Sequence, residues 1–276
     1  KAFGDPALDR LVDEALANNL DLAAALARID LARANVLLAQ SDLYPNVGLG
    51  VGASRSRITQ VGSQPLPAGA DPLSNSLSVG LSAAYELDLW GKYRTATQAA
   101  RQTLLASEYA RETVRTVVAA EVSRAYFALL AADAELALLR DTLAARDDAV
   151  ALQRERFAGG IVGELDLRQA EAERAAVVAD IAAVERSVAL YQSALATLAG
   201  RSPREVFAPA VARGDATTRL LEVPSIAEGL PSGVIERRPD IRRAEAEIAA
   251  ASLRVDVARA DYFPAVSLTG FLGSES

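Results

Sequence analysis

The side chains whose placement in this sequence invites chemistry are carboxylates. Glu86 and Asp88 sit in an alternating run, Glu121 and Glu135 in a long helical stretch, and Asp166, Glu171 and Glu173 at the start of the next. Carboxylates can serve as general acid and base, hold a cation, or line a passage that favours cations. The 276-residue chain contains no His and no Cys. The commonest general base and metal ligand are therefore missing, along with thiolate chemistry and any disulfide framework. No metal set and no nucleophile–base pair can be assembled. A hydrolase working on carboxylates alone is the enzyme class left, and the expectation is no enzymatic role and no cofactor. The spacing of Glu171 and Glu173 is commonplace on an exposed helix. ERRPD (236–240) reads as a helix start with surface arginines, not a phosphate site. A net charge of −7 and a pI of about 4.9 make a nucleic-acid backbone an unsuitable partner.

The elements carrying these acids are a pair of strands and a set of long helices. From Leu77 to Leu89 every odd position is apolar or aromatic, and the even positions are Ser76, Ser78, Gly80, Ser82, Ala84, Glu86 and Asp88. That alternation predicts a strand over 74–89. A similar alternation over 43–58, with Pro45 at strand entry, predicts its partner. Residues 59–73 read as a loop, so 43–89 is a hairpin. A half-buried hairpin on a soluble core would alternate too. This run, however, exceeds the average strand of 5–6 residues, matches the 9–11 residues of a tilted barrel crossing, and ends in Trp90 and Tyr93, where an interfacial girdle would lie. On that reading Leu77, Val79, Leu81, Tyr85, Leu87, Leu89 and Trp90 face lipid, and Glu86 and Asp88 face a wet lumen. No window of 18 uninterrupted apolar residues exists, so no transmembrane helix is expected.

Helices are predicted over 6–18, 20–41, 92–158, 164–200 and 239–260. FAGGIVGELDL (157–167) forms a corner between the two longest, and 201–238 is an irregular linker. The 92–158 helix carries two apolar stripes. One runs Val118, Val122, Ala125, Leu129, Ala132, Leu136, Leu139 and Leu143, a heptad spacing. The other runs Ala120, Phe127, Ala131, Ala134 and Leu138. The stripes point about 154° apart, so the helix expects a neighbour on each side, as in a ring. The narrower side between them carries Glu121, Ala128, Glu135 and Thr142 and would face a tunnel; the alternative is a solvated outer face.

The sequence also repeats. Residues 21–49 lie over 240–268 without a gap, with 11 of 29 positions identical, among them Asp42/Asp261, Pro45/Pro264 and Leu49/Leu268. The chain thus reads as one full helix–hairpin–helix–helix unit (about 6–200) and the opening of a second (239–276). Two strands and the start of a third cannot close a membrane barrel, whose smallest form has about 8 strands, so closure calls for several subunits.

At LDLWGKYR (87–94) and in the stretch from 229 to 270 the chain resembles the TolC/OprM-type outer-membrane efflux proteins, in their NodT-like lipoprotein branch. FGDPALDRLVDEALANNLDL (3–22) and RFAGGIVGELDL (156–167) fit the same pattern, so the resemblance covers essentially the whole chain. It implies a homotrimer in the bacterial outer membrane, a β-barrel continued by a long-helix α-barrel tunnel into the periplasm, and partnership with a periplasmic adaptor and an inner-membrane RND-type pump. It implies passive conduction, with Asp166 at the place of the family's tip aspartate, helping to close the periplasmic aperture. Arg156, Phe157, Gly159 and Gly160 would meet the adaptor's helical tip. The family often has Ser where this chain has Gly163. The branch's acylated cysteine would lie upstream of Lys1, the second-unit corner would lie beyond Ser276, and the lack of any Met suggests a processed or cut chain. The rival class is a soluble periplasmic coiled-coil scaffold or adaptor, in which residues 77–89 would have no use for a lipid-compatible face.

Overall fold

The computed structural model describes residues 3–58, 69, 71–201 and 233–276. The expected loop at 59–73 and linker at 201–238 fall largely outside the described residues. The elements, in chain order, are α1 (Pro6–Asn18), α2 (Leu20–Ser41), β1 (Asn46–Arg57), β2 (Leu73–Glu86), α3 (Lys92–Ala158), α4 (Glu164–Leu198), α5 (Gly233–Glu236), α6 (Pro239–Ala260) and β3 (Ser267–Glu275). Mostly helix with one small sheet, they divide into two compact units: Lys1–Ala27 with Ala110–Pro239, and Arg28–Tyr109 with Asp240–Ser276.

In the first unit, Asp5 starts α1. One of its carboxylate oxygens accepts from the Ala7 and Leu8 N–H groups at 2.8 and 3.4 Å, and Pro6 follows it, where a missing N–H costs nothing. The other oxygen accepts the Tyr126 hydroxyl at 2.6 Å, which fixes the start of α1 to the middle of α3. Ala7, Leu8, Leu11 and Ala15 form the apolar stripe of α1. They pack with Val118, Val122, Tyr126, Leu129 and Leu130 of α3 and Leu195 of α4. Asn19 links three helices. Its Oδ1 caps α2 through the Asp21 and Leu22 N–H groups, and its Nδ2 donates to the Leu198 carbonyl at 3.0 Å. Gly200 ends α4 at φ +68°, so close to α1 that a methyl group there would lie 2.2 Å from the Asn18 carbonyl oxygen.

Farther along the first unit, where Val150 and Leu167 are buried, α3 and α4 are also joined by ion pairs. Arg140–Glu185, Arg146–Glu173 and Arg154–Glu171 bridge the helices at 3.0, 2.6 and 3.1 Å, and Asp147 pairs with Arg174. Glu171 and Glu173 are therefore cross-helix partners rather than idle surface acids. Each exposed pair contributes little alone, but successive pairs fix the register of the two helices.

The second unit holds an antiparallel sheet of order β1-β2-β3. Its register puts Leu49, Leu81 and Leu272 in one row and Gly50, Gly80 and Gly273 in the next. The Thr97 hydroxyl donates toward the Tyr93 and Ala39 carbonyls, tying α2 to α3, and Arg254 of α6 reaches the Thr103 hydroxyl.

Candidate functional site

Strand pairing sorts the sheet into two faces. Val47, Leu49, Val51, Leu77, Val79, Leu81, Leu268 and Leu272 share one, and Leu77, Val79 and Leu81 are 56, 46 and 44% exposed. The other face carries Gly48, Gly50, Gly52, Ser78, Gly80, Ser82 and Gly273, together with Glu86, Glu275 and an aromatic ring, Phe271. The Phe271 ring lies over this glycine belt, where a Cβ on Gly80 or Gly273 would approach it within 2.7 Å. Alternation alone did not single out Phe271. Its signal was an aromatic residue opposite a Ser–Gly strand, which is visible only once the register is known.

From periodicity the strand runs to Leu89, but β2 stops at Glu86, and Leu87, Asp88, Leu89 and Trp90 follow it. Asp88 lies beyond the strand, so the two-residue period does not set its direction. Its carboxylate accepts from the Tyr93 and Arg94 N–H groups at 3.1 and 3.0 Å and pairs with the Arg94 side chain at 3.1 Å, leaving Asp88 9% exposed. It satisfies the N–H groups that open α3, a task stronger than the two-residue period that marked it. Glu86 does stay on the strand, where it accepts the Tyr93 hydroxyl. That bond, ahead of burial, raises the Tyr93 pKa above its ordinary value. Trp90 stacks on Phe263 at 4.8 Å and donates from Nε1 to the Pro264 carbonyl at 3.0 Å, and Lys92 pairs with Asp261 at 2.7 Å.

The two stripes of α3 have different fates in the first unit. The heptad stripe is buried where it meets α1 and α4, with Leu129 fully shielded. The second stripe stays mostly open. Phe127 meets Phe3 edge-on at 4.9 Å, whereas Leu138 is 66% exposed. Of the acids between the stripes, Glu121 is held by Arg124 at 2.7 Å and Glu135 is exposed. Thr142 turns its hydroxyl back to the Leu138 carbonyl. Glu121 and Glu135 lie about 21 Å apart along one helix, so they do not form an acid pair. Among the described residues no group of acids could hold a metal ion.

At the corner, Gly160 takes φ +71°, and the Ile161 and Gly160 N–H groups return to the Arg156 and Phe157 carbonyls, closing α3. Gly159 needs no such φ. Asp166 stands at the third position of α4. Its carboxylate accepts the Gly163 N–H at 3.1 Å, half of a capping box whose other half glycine cannot supply. Arg156 and Phe157 are exposed, and so are Ile161 and Leu165, at 76 and 77%. This apolar tip extends beyond the four residues singled out from sequence. Its signal was two aliphatic residues in a short turn with no core to enter.

The Outer membrane efflux protein family model matches residues 11–201 and 230–276. The chain is 38% identical over 274 residues to Outer membrane protein OprJ of Pseudomonas aeruginosa, covering 99% of this chain and 56% of that protein. It is 35% identical over 275 residues to the Probable efflux pump outer membrane protein TtgC of Pseudomonas putida, covering 99% and 55% respectively. The crystal structure of the Campylobacter jejuni CmeC outer membrane channel superposes with a TM-score of 0.82 at 28% identity, over 99% of this chain and 57% of that one. The chain thus spans a little over half the length of the relatives it matches.

Proposed function

The chain belongs to the outer-membrane efflux protein family, and we propose that it builds a passive exit duct in the bacterial outer membrane. In this reading three copies close a β-barrel in the membrane and continue it as a tunnel of long helices into the periplasm. Each copy is made of two tandem units, the second opening at Pro239. An inner-membrane RND-type pump supplies the energy and a periplasmic adaptor makes the connection.

The sheet carries the argument. It presents a continuous apolar face from Val47 to Leu272 and a glycine–serine face behind it. Hydrocarbon can accept the first face but cannot satisfy a bare strand edge, so a three-stranded sheet must be completed by other strands. The open second stripe of α3 asks for a neighbour in the same way. The resulting passage is lined by Glu86, Glu121 and Glu135 and favours cations. At the corner, Asp166 helps to hold the periplasmic end closed. Arg156, Phe157, Gly159 and Gly160, with Ile161 and Leu165, meet the adaptor.

Detergent-extracted protein is expected to be trimeric by native mass spectrometry and to give cation-selective conductance in planar bilayers, with Asp166→Ala raising that conductance. Anion selectivity contradicts the acidic lining, and unchanged conductance contradicts the gate. Recovery of the protein in the soluble periplasmic fraction would favour the scaffold instead.

A further inference from the structure

Two aligned segments of the chain make the same turn, and only one of the turns is occupied. Asp42–Pro45 follows α2 and enters β1, while Asp261–Pro264 follows α6 and leads to β3. Their hydrogen bonds correspond one for one. Leu43 and Tyr44 N–H donate to the Gln40 and Ser41 carbonyls at 3.1 Å each, and Tyr262 and Phe263 N–H donate to the Arg259 and Ala260 carbonyls at 3.2 and 3.1 Å.

Three contacts clasp the second turn: the Trp90 ring on Phe263, the Trp90 Nε1–H on the Pro264 carbonyl, and the Lys92 ammonium on Asp261. Strand pairing delivers them. Because β2 runs antiparallel to β3, the residues after β2 must run beside those before β3. The first turn has the same chemistry and no clasp. Tyr44, which aligns with Phe263, is 70% exposed. Among the described residues no cation pairs with Asp42, no ring stacks on Tyr44, and no side chain donates to the Pro45 carbonyl. A cavity of about 480 Å³ opens there, lined by Asp42, Tyr44, Pro45, Glu86 and Tyr93 among others. β1 is also the outer strand of the described sheet. A strand added antiparallel to its free edge would bring its trailing residues to Asp42–Pro45, as β2 brings Trp90 and Lys92 to Asp261–Pro264.

We propose that the Asp42–Tyr44–Pro45 turn is a socket for a second copy of this chain. That copy supplies an aromatic ring for Tyr44, an N–H donor for the Pro45 carbonyl and a cation for Asp42. The occupant is protein rather than lipid or a free cation, because the occupied turn displays what this geometry accepts and because the bare β1 edge beside it needs a strand. The socket rests on the multi-subunit duct proposed above and names one contact that closes it.

The test uses the full-length protein in its native envelope. A benzophenone amino acid replaces Tyr44 in one version and Phe263 in another, and native mass spectrometry reads the trimer independently. Irradiation of the Tyr44-substituted protein is expected to give covalent dimers and trimers, and the Phe263-substituted protein to stay monomeric on denaturing gels. A trimer whose position 44 yields only monomer or lipid adducts overturns the socket and leaves the duct standing; absence of any trimer overturns both. Asp42→Lys is expected to lower the detergent-resistant trimer fraction about tenfold, and Asp42→Asn less. An unchanged fraction in Asp42→Lys also overturns the socket.

Discussion

The helical unit and the sheet unit solve the same problem in opposite ways. The helical unit has a core of its own: Tyr126, Leu129, Leu195 and Val122 are almost completely shielded, and α1 is pinned by a buried Asp5–Tyr126 hydrogen bond. The sheet unit turns Val47, Leu49, Val51, Leu81 and Leu272 outward and leaves the edges of its sheet unpaired among the described strands. Hydrophobic burial can stabilise the first within one chain. The second gains the same stabilisation only when something apolar and other strands surround it. Apolar content alone therefore does not tell a core from a surface that awaits a partner.

The strongest way to break the helical side is Gly200→Val. It forces a side chain into the Asn18 carbonyl at φ +68° and is expected to destabilise by on the order of 4 kcal/mol, read as a lowered thermal midpoint of the detergent-solubilised protein. On the sheet side, Val79→Arg is expected to cost about 2–4 kcal/mol in lipid vesicles by urea titration, against nearly nothing for Ser78→Arg one residue away. Equal effects at the two positions would erase the distinction between the faces. Tyr126→Phe leaves one Asp5 oxygen without its donor and is expected to cost about 1–3 kcal/mol, with Asp5 still capping α1.

The smallest effect concerns the exposed corner. Hydrogen bonds from Arg154 first, then Arg168, hold the Glu171 pKa below its ordinary value of 4.5. A carboxylate depressed in the folded state stabilises it above the unfolded pKa, and that contribution disappears as pH falls through the folded value. Amide exchange near residues 154–171, corrected for intrinsic rate, is expected to quicken as pH falls below about 4.5. Glu171→Gln should remove most of that difference.

Much of this architecture was legible in the residues. Sixty-seven positions without proline, from Lys92 to Ala158, permit one uninterrupted helix, and Gly160 marks its end. The alternation of 77–85 announced two unlike faces. The boundaries failed where a side chain had a second use. Asp88 satisfies the periodicity of a strand and the capping need of a helix, and the cap takes it. Periodicity marks both stripes of α3 as apolar, and packing against α1 and α4 decides that the heptad stripe is the inner one.

What the sequence determined by itself was local: which side chains share a face, where a chain of L-residues must turn, how far each helix can run. Those follow from backbone geometry repeating every two or 3.6 residues. The tertiary structure alone decided the partnerships made over long separations: Tyr126 with Asp5 across 121 residues, Trp90 with Pro264 across 174, and the Phe271 ring over Gly80. No periodicity spans such distances. The chain must fold before these groups can meet.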